Sequence, residues 1–74
     1  MSFPQYRKHT SGKNFYAIYS DLNFTEIQRV GLRYIEYKIT AQTYFEKQRI
    51  QEMLRLEDCY EPMEENAFEA LRNG

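Results

Sequence analysis

Seventy-four residues make one domain, 1–74, with a thin margin of stability and space for a single small core. One cysteine, Cys59, and one histidine, His9, exclude an internal disulfide and are too few for a structural zinc site of Cys and His ligands. A net charge of −1 gives no global case for nucleic acid or for an acidic substrate.

Gln5–His9 follows Pro4, which cannot donate a ladder hydrogen bond, and reads as an edge strand blunted by Arg7 and Lys8. Thr10-Ser11-Gly12-Lys13 is a turn cluster, and Asn14–Ser20 carries five consecutive apolar or aromatic residues, the composition of a strand occupied on both faces. Together they predict a hairpin. After the turn Asp21-Leu22-Asn23, residues 24–31 admit two readings. As a helix, Asn23 caps, Glu26 sits at the third position and Gly31 stops it. As a strand, Phe24 and Val30 fall opposite Ile27, poor alternation without a bulge. The strand is preferred because the next segment needs an antiparallel neighbour and Gly31-Leu32 suits a hairpin connection.

That next segment, Arg33–Ala41, is the firmest strand in the chain. Ile35, Tyr37, Ile39 and Ala41 alternate with Tyr34, Glu36, Lys38 and Thr40, which predicts one face in a core and one in water. Thr43-Tyr44-Phe45-Glu46 then has the form of a capping box. It opens a helix over about 43–56 with Ile50, Met53 and Leu54 as its apolar stripe. Glu46–Arg49 and Glu52–Arg55 are spaced as surface ion pairs. Cys59–Met63 reads as a short extended piece confined to an edge by Pro62. Glu64, Glu65 and Glu69 favour the start of a last helix whose apolar side is Ala67, Phe68 and Leu71.

The predicted fold is therefore α+β: an antiparallel meander of about four strands, one main helix across a face, then a short extended segment and helix. The expected core is Ile18, Ile35, Tyr37, Ile39, Ala41, Ile50, Met53, Leu54, Phe68 and Leu71. Truncating Ile35 or Ile39 to Ala is expected to cost about 2–5 kcal/mol.

Catalytic constellations are sparse, and the expectation is a protein that is no enzyme and needs no cofactor or metal. His9 reads as a surface histidine in a basic stretch, and Cys59 as a buried or half-buried structural thiol whose acidic neighbours oppose activation. Glu57, Asp58, Glu61, Glu64 and Glu65 lack the alternation and glycine of an EF-hand loop. No phosphate loop or nucleophile elbow occurs. Charge is uneven: residues 1–38 hold six Lys or Arg against three acids, and residues 39–74 four against eight. The basic half interleaves aromatics with its cations, and Tyr6, Arg7, Lys8, Arg33, Tyr34 and Lys38 are the candidate binding residues. Such a sheet face can stack on bases while cations follow phosphates. The leading expectation is a small module docking on another protein, as monomer or weak homodimer; single-stranded nucleic-acid binding is the alternative.

No apolar run approaches the roughly 20 residues of a membrane span, the first residues lack a secretory signal's apolar stretch, and a lone thiol suits the cytoplasm. The stretches Phe3-Pro4-Gln5-Tyr6-Arg7-Lys8, Phe24-Thr25-Glu26-Ile27-Gln28 with Gly31 and Tyr34, and Ile50-Gln51-Glu52-Met53-Leu54 resemble a group of small uncharacterised bacterial proteins. The resemblance spans nearly the whole chain. It implies a bacterial, cytoplasmic, single-domain protein and carries over no activity, ligand or site residue.

Overall fold

A computed structural model describes residues 2–57 and 59–73. In chain order it contains β1 (Gln5–His9), β2 (Asn14–Ile18), β3 (Asn23–Val30), β4 (Arg33–Thr40), α1 (Tyr44–Leu54), β5 (Tyr60–Pro62) and α2 (Glu65–Asn73). The strands make one antiparallel sheet in the order β4-β3-β2-β1-β5. This is the α+β meander that the sequence predicts, with the C-terminal extended piece added as a fifth strand outside β1.

Residues 24–30 are strand, with Gly31 in the turn that follows, and no bulge interrupts them: β3 pairs residue by residue with β4 from Asn23↔Thr40 to Val30↔Arg33. Its alternation looks poor because helices lie on both faces of the sheet. Tyr16, Ile18 and Phe24 pack with Ala41, Ile50, Met53 and Leu54 under α1. Ala17 and Ile27 pack with Phe68 under α2, flanked by Tyr6, Phe15, Met63 and Leu71. A strand covered on both sides has no polar face to reveal its period. Gly31-Leu32 joins β3 to β4 in two residues, with Gly31 at φ 64° in the first central position, the arrangement of a type II′ turn.

The predicted capping box is present at α1. Thr43 Oγ1 accepts the Glu46 N–H at 3.2 Å, and Glu46 Oε1 accepts the Thr43 and Gln42 N–H groups at 3.0 Å. These backbone donors hold the Glu46 carboxyl below its ordinary pKa. The helix stops at Leu54, two residues before the predicted end. Leu56, at φ 58°, takes the left-handed conformation. Its N–H reaches Met53 O at 3.2 Å, and the Glu57 N–H reaches Glu52 O at 3.0 Å, the paired closure of a Schellman motif.

Four expectations need correction. First, Gln5–His9 is no edge strand, because β5 covers its outer side, and Arg7 is buried rather than blunting an edge. Second, β4 is itself the edge. Helix α1 starts beside the end of β4 and finishes where Arg7 on β1 reaches its last carbonyls, so it crosses the strands near one end of the sheet. Ile39 and Ala41 lie under that crossing, while Ile35 and Tyr37 lie beyond it, 38% and 44% exposed. Tyr16, Ala17, Phe24 and Ile27 stand in the core in their place. Third, Cys59 is exposed: it precedes the outermost strand β5, held there by its backbone carbonyl, which accepts the Thr10 N–H at 2.8 Å. Fourth, Glu46 is taken up by its cap, Arg49 turns inward to Glu26, and Arg55 pairs with Glu57, so neither predicted helix-surface ion pair forms.

Candidate docking edge

The outer side of β4 follows from the hairpin that makes it. In a two-residue hairpin the closing pair, here Val30 and Arg33, exchanges both backbone hydrogen bonds, so Arg33, Ile35, Tyr37 and Ile39 turn their amides to β3. The Ala41 N–H, bonded to Leu22 O at 2.7 Å, keeps the same parity. Tyr34, Glu36, Lys38 and Thr40 therefore direct N–H and C=O away from the sheet. Among the described residues these outward backbone groups meet no hydrogen-bonding partner.

Side chains divide along the same strand. On the α1 side, Ile35 and Tyr37 continue into Val30, which is 54% exposed, and Leu32 at the hairpin tip is 97% exposed. On the α2 side, Glu36 accepts a two-pronged hydrogen bond from Arg72, Nε to Oε1 and Nη2 to Oε2, both 3.2 Å. That contact, against an opposing cost of burial, raises the Arg72 pKa. Lys38, two residues along, forms no salt bridge among the described residues. The opposite edge of the sheet is β5, three residues long and ending in Pro62.

The six residues singled out in the sequence do not share a surface. Tyr6, Lys8, Tyr34 and Lys38 lie on the α2 face, whereas Arg7 and Arg33 lie on the α1 face. Tyr6 packs on Phe68 with ring centroids 5.3 Å apart and donates its hydroxyl to Glu65 at 3.1 Å. Burial first, and then that carboxylate, push the Tyr6 phenol up to about 12. Arg7 is spent on backbone: Nε donates to Met53 O at 2.9 Å and Nη2 to Leu54 O at 3.4 Å, supplying from β1 the positive charge that the last turn of α1 lacks. Burial lowers its pKa. A smaller basic and aromatic group does assemble on the α2 face. Phe15 and Tyr34 meet edge to face at 6.4 Å, Lys8 stands opposite Phe15, and Arg29 stands opposite Tyr34 with Lys13 alongside. Lys8, Lys13 and Arg29 form no salt bridge among the described residues.

One polar cluster escaped sequence reasoning. Glu26, buried in the middle of β3, accepts from Asn14 Nδ2 at 2.9 Å and faces Arg49 Nη2 at 3.5 Å. Arg49 also donates to the Tyr16 hydroxyl at 2.9 Å and lies over the Tyr16 and Phe24 rings. Burial, which outweighs Arg49, pushes the Tyr16 phenol up to about 12. For Arg49 burial works the other way, but the oxygens around it prevail and its pKa is raised. A lone carboxylate inside an apolar strand was the available signal. With its charge met by Arg49 and an amide, Glu26 pins α1 to the sheet. His9 stands against Tyr60 at 5.8 Å and shares a hydrogen bond with Ser11. A groove of about 520 Å³ between α1 and the turn at Asp21-Leu22 is lined by Tyr44, Lys47, Gln48, Gln51 and Arg55, with no β4 residue in its wall.

Among the described residues no helix is long and apolar enough to cross a membrane, and no three His, Cys, Asp or Glu side chains gather as a metal site would require. Compared with known proteins, the chain matches no protein family, no curated protein and no solved structure.

Proposed function

We propose that this chain is a small non-enzymatic module that docks on another polypeptide through the outer edge of β4 and the apolar strip beside it. One observation carries the reading: the two edges of the sheet are treated differently. β5 is short and ends in proline, the usual protection of an edge against pairing. β4 is eight residues long, and its free backbone groups stand next to exposed Val30, Leu32, Ile35 and Tyr37. A long uncovered edge with apolar neighbours is a template for an added strand. The test is a photoreactive phenylalanine analogue in place of Tyr37, compared with the same group in place of Leu22. The reading requires crosslinks from position 37 that vanish in a Lys38→Pro background, since proline there removes an outward N–H without touching the ladder to β3. Equal crosslinking from both positions, or survival in the proline variant, refutes it.

A second reading rests on Lys8, Lys13 and Arg29 around the Phe15–Tyr34 pair: single-stranded nucleic acid stacked on those rings. Its support is narrower than the sequence suggested, since Arg7 and Arg33 lie across the sheet. An NMR titration with mixed-sequence oligonucleotides at two salt concentrations decides it. Shifts on Lys8, Phe15, Arg29 and Tyr34 that weaken steeply with salt favour this reading, and their absence removes it.

A further inference from the structure

Resting on the docking reading, the geometry points to a second copy of this chain as the occupant of the β4 edge: two β4 strands pair antiparallel about a twofold axis at Tyr37, joining two five-stranded sheets into one. Three features of the strand select this arrangement. A twofold perpendicular to the sheet keeps each face on its own side, so it passes through a residue and not between two residues. Axes near the ends of β4 leave much of each strand unpaired, which narrows the choice to Glu36 or Tyr37. An axis at Glu36 sets that carboxylate against its own copy. An axis at Tyr37 sets Glu36 opposite the partner's Lys38, and Lys38 opposite the partner's Glu36.

The hydrogen-bond parity fits the same register. Glu36 with Lys38, and Tyr34 with Thr40, carry the outward amides and become the pairs that exchange both backbone bonds. Tyr37 with Tyr37, and Ile35 with Ile39, fall at the intervening positions, where facing side chains come closest. The residues left exposed beyond α1, Ile35 and Tyr37, are then the ones brought into apolar contact. Glu36 keeps its bond from Arg72, because a carboxylate has lone pairs for both cations.

Sedimentation of the wild type, of Lys38→Glu, of Glu36→Lys and of Lys38→Pro tests the pairing, with circular dichroism confirming that each variant is folded. The wild type is expected to sediment at twice the monomer mass of 9.0 kDa, with each charge variant alone weakened about tenfold or more by two like-charge contacts. Mixing Lys38→Glu with Glu36→Lys is expected to restore the dimer as a heterodimer, because every facing pair is then opposite in sign. A monomeric wild type, a proline variant that still dimerises, or a mixture no stronger than its components overturns the proposal. If the proline variant does not fold, the mixture alone decides. A monomeric wild type whose position 37 still crosslinks to a different protein overturns the second copy and leaves the docking reading standing. Loss of both overturns both.

Discussion

Leu56 is the one non-glycine residue at positive φ among the described residues. A side chain in the left-handed region costs roughly 1–2 kcal/mol, and glycine avoids that cost while losing more freedom on folding. Leu56 is exposed, so little packing is lost with its side chain. Leu56→Gly is expected to stabilise the domain by about 0.5–1 kcal/mol, and Leu56→Ala to give no such gain, as read from urea unfolding midpoints. The stop of α1 was illegible for the same reason: a Leu at a glycine position gives no signal. Tyr6 and Tyr16 set a second expectation. Both phenols sit at about 12 in the fold against about 10 in the unfolded chain. Between those values the unfolded chain has lost protons that the native one keeps, so stability is intact below pH ~10 and falls as pH rises toward ~12. Alkaline unfolding in that window should move upward in pH when Tyr6 is replaced by Phe. A midpoint unchanged by Tyr6→Phe would mean that Tyr6 titrates normally in the native state.

At the level of elements, periodicity was a good guide to strands and a poor one to layers. Alternation in Arg33–Ala41 located β4, Arg33–Thr40, to within one residue, because side chains on a strand must alternate whatever lies beyond them. It could not say what covers the apolar side, and α1 covers only the end with Ile39 and Ala41. In β3 the failure was complementary: helices on both faces buried Phe24, Thr25, Glu26 and Ile27 in succession and erased the pattern. The candidate site was legible in neither sense, since Ile35 and Tyr37 read as core. Val30 and Leu32, apolar residues at a hairpin tip, were the overlooked hint. The resulting stability prediction separates the two roles. Ile27→Ala, fully buried between β2 and α2, should cost about 2–5 kcal/mol, enough to unfold a marginal domain. Ile35→Ala, measured at dilutions where the chain is monomeric, should cost about 1 kcal/mol or less, well under the value expected from sequence. Equal losses would put Ile35 back in the core.

For the molecule as a whole, the order β4-β3-β2-β1-β5 has a temporal meaning. Three hairpins join neighbours in sequence, and the tightest turns at Gly31-Leu32. The last seam is different: β5 returns to β1, and Tyr6 meets Glu65, 59 positions along the chain. Short loops close at little entropic cost and long ones late, so the β2–β3–β4 meander should be largely built at the folding transition state, with β5 and α2 joining after it. Substitutions at Ile27 or Gly31 should then slow refolding. Substitutions confined to the β5–α2 seam, such as Met63→Ala, should leave the refolding rate nearly unchanged and speed unfolding instead. On that view the C-terminal elements act as a clasp, adding lifetime to a native state whose assembly is decided before they arrive.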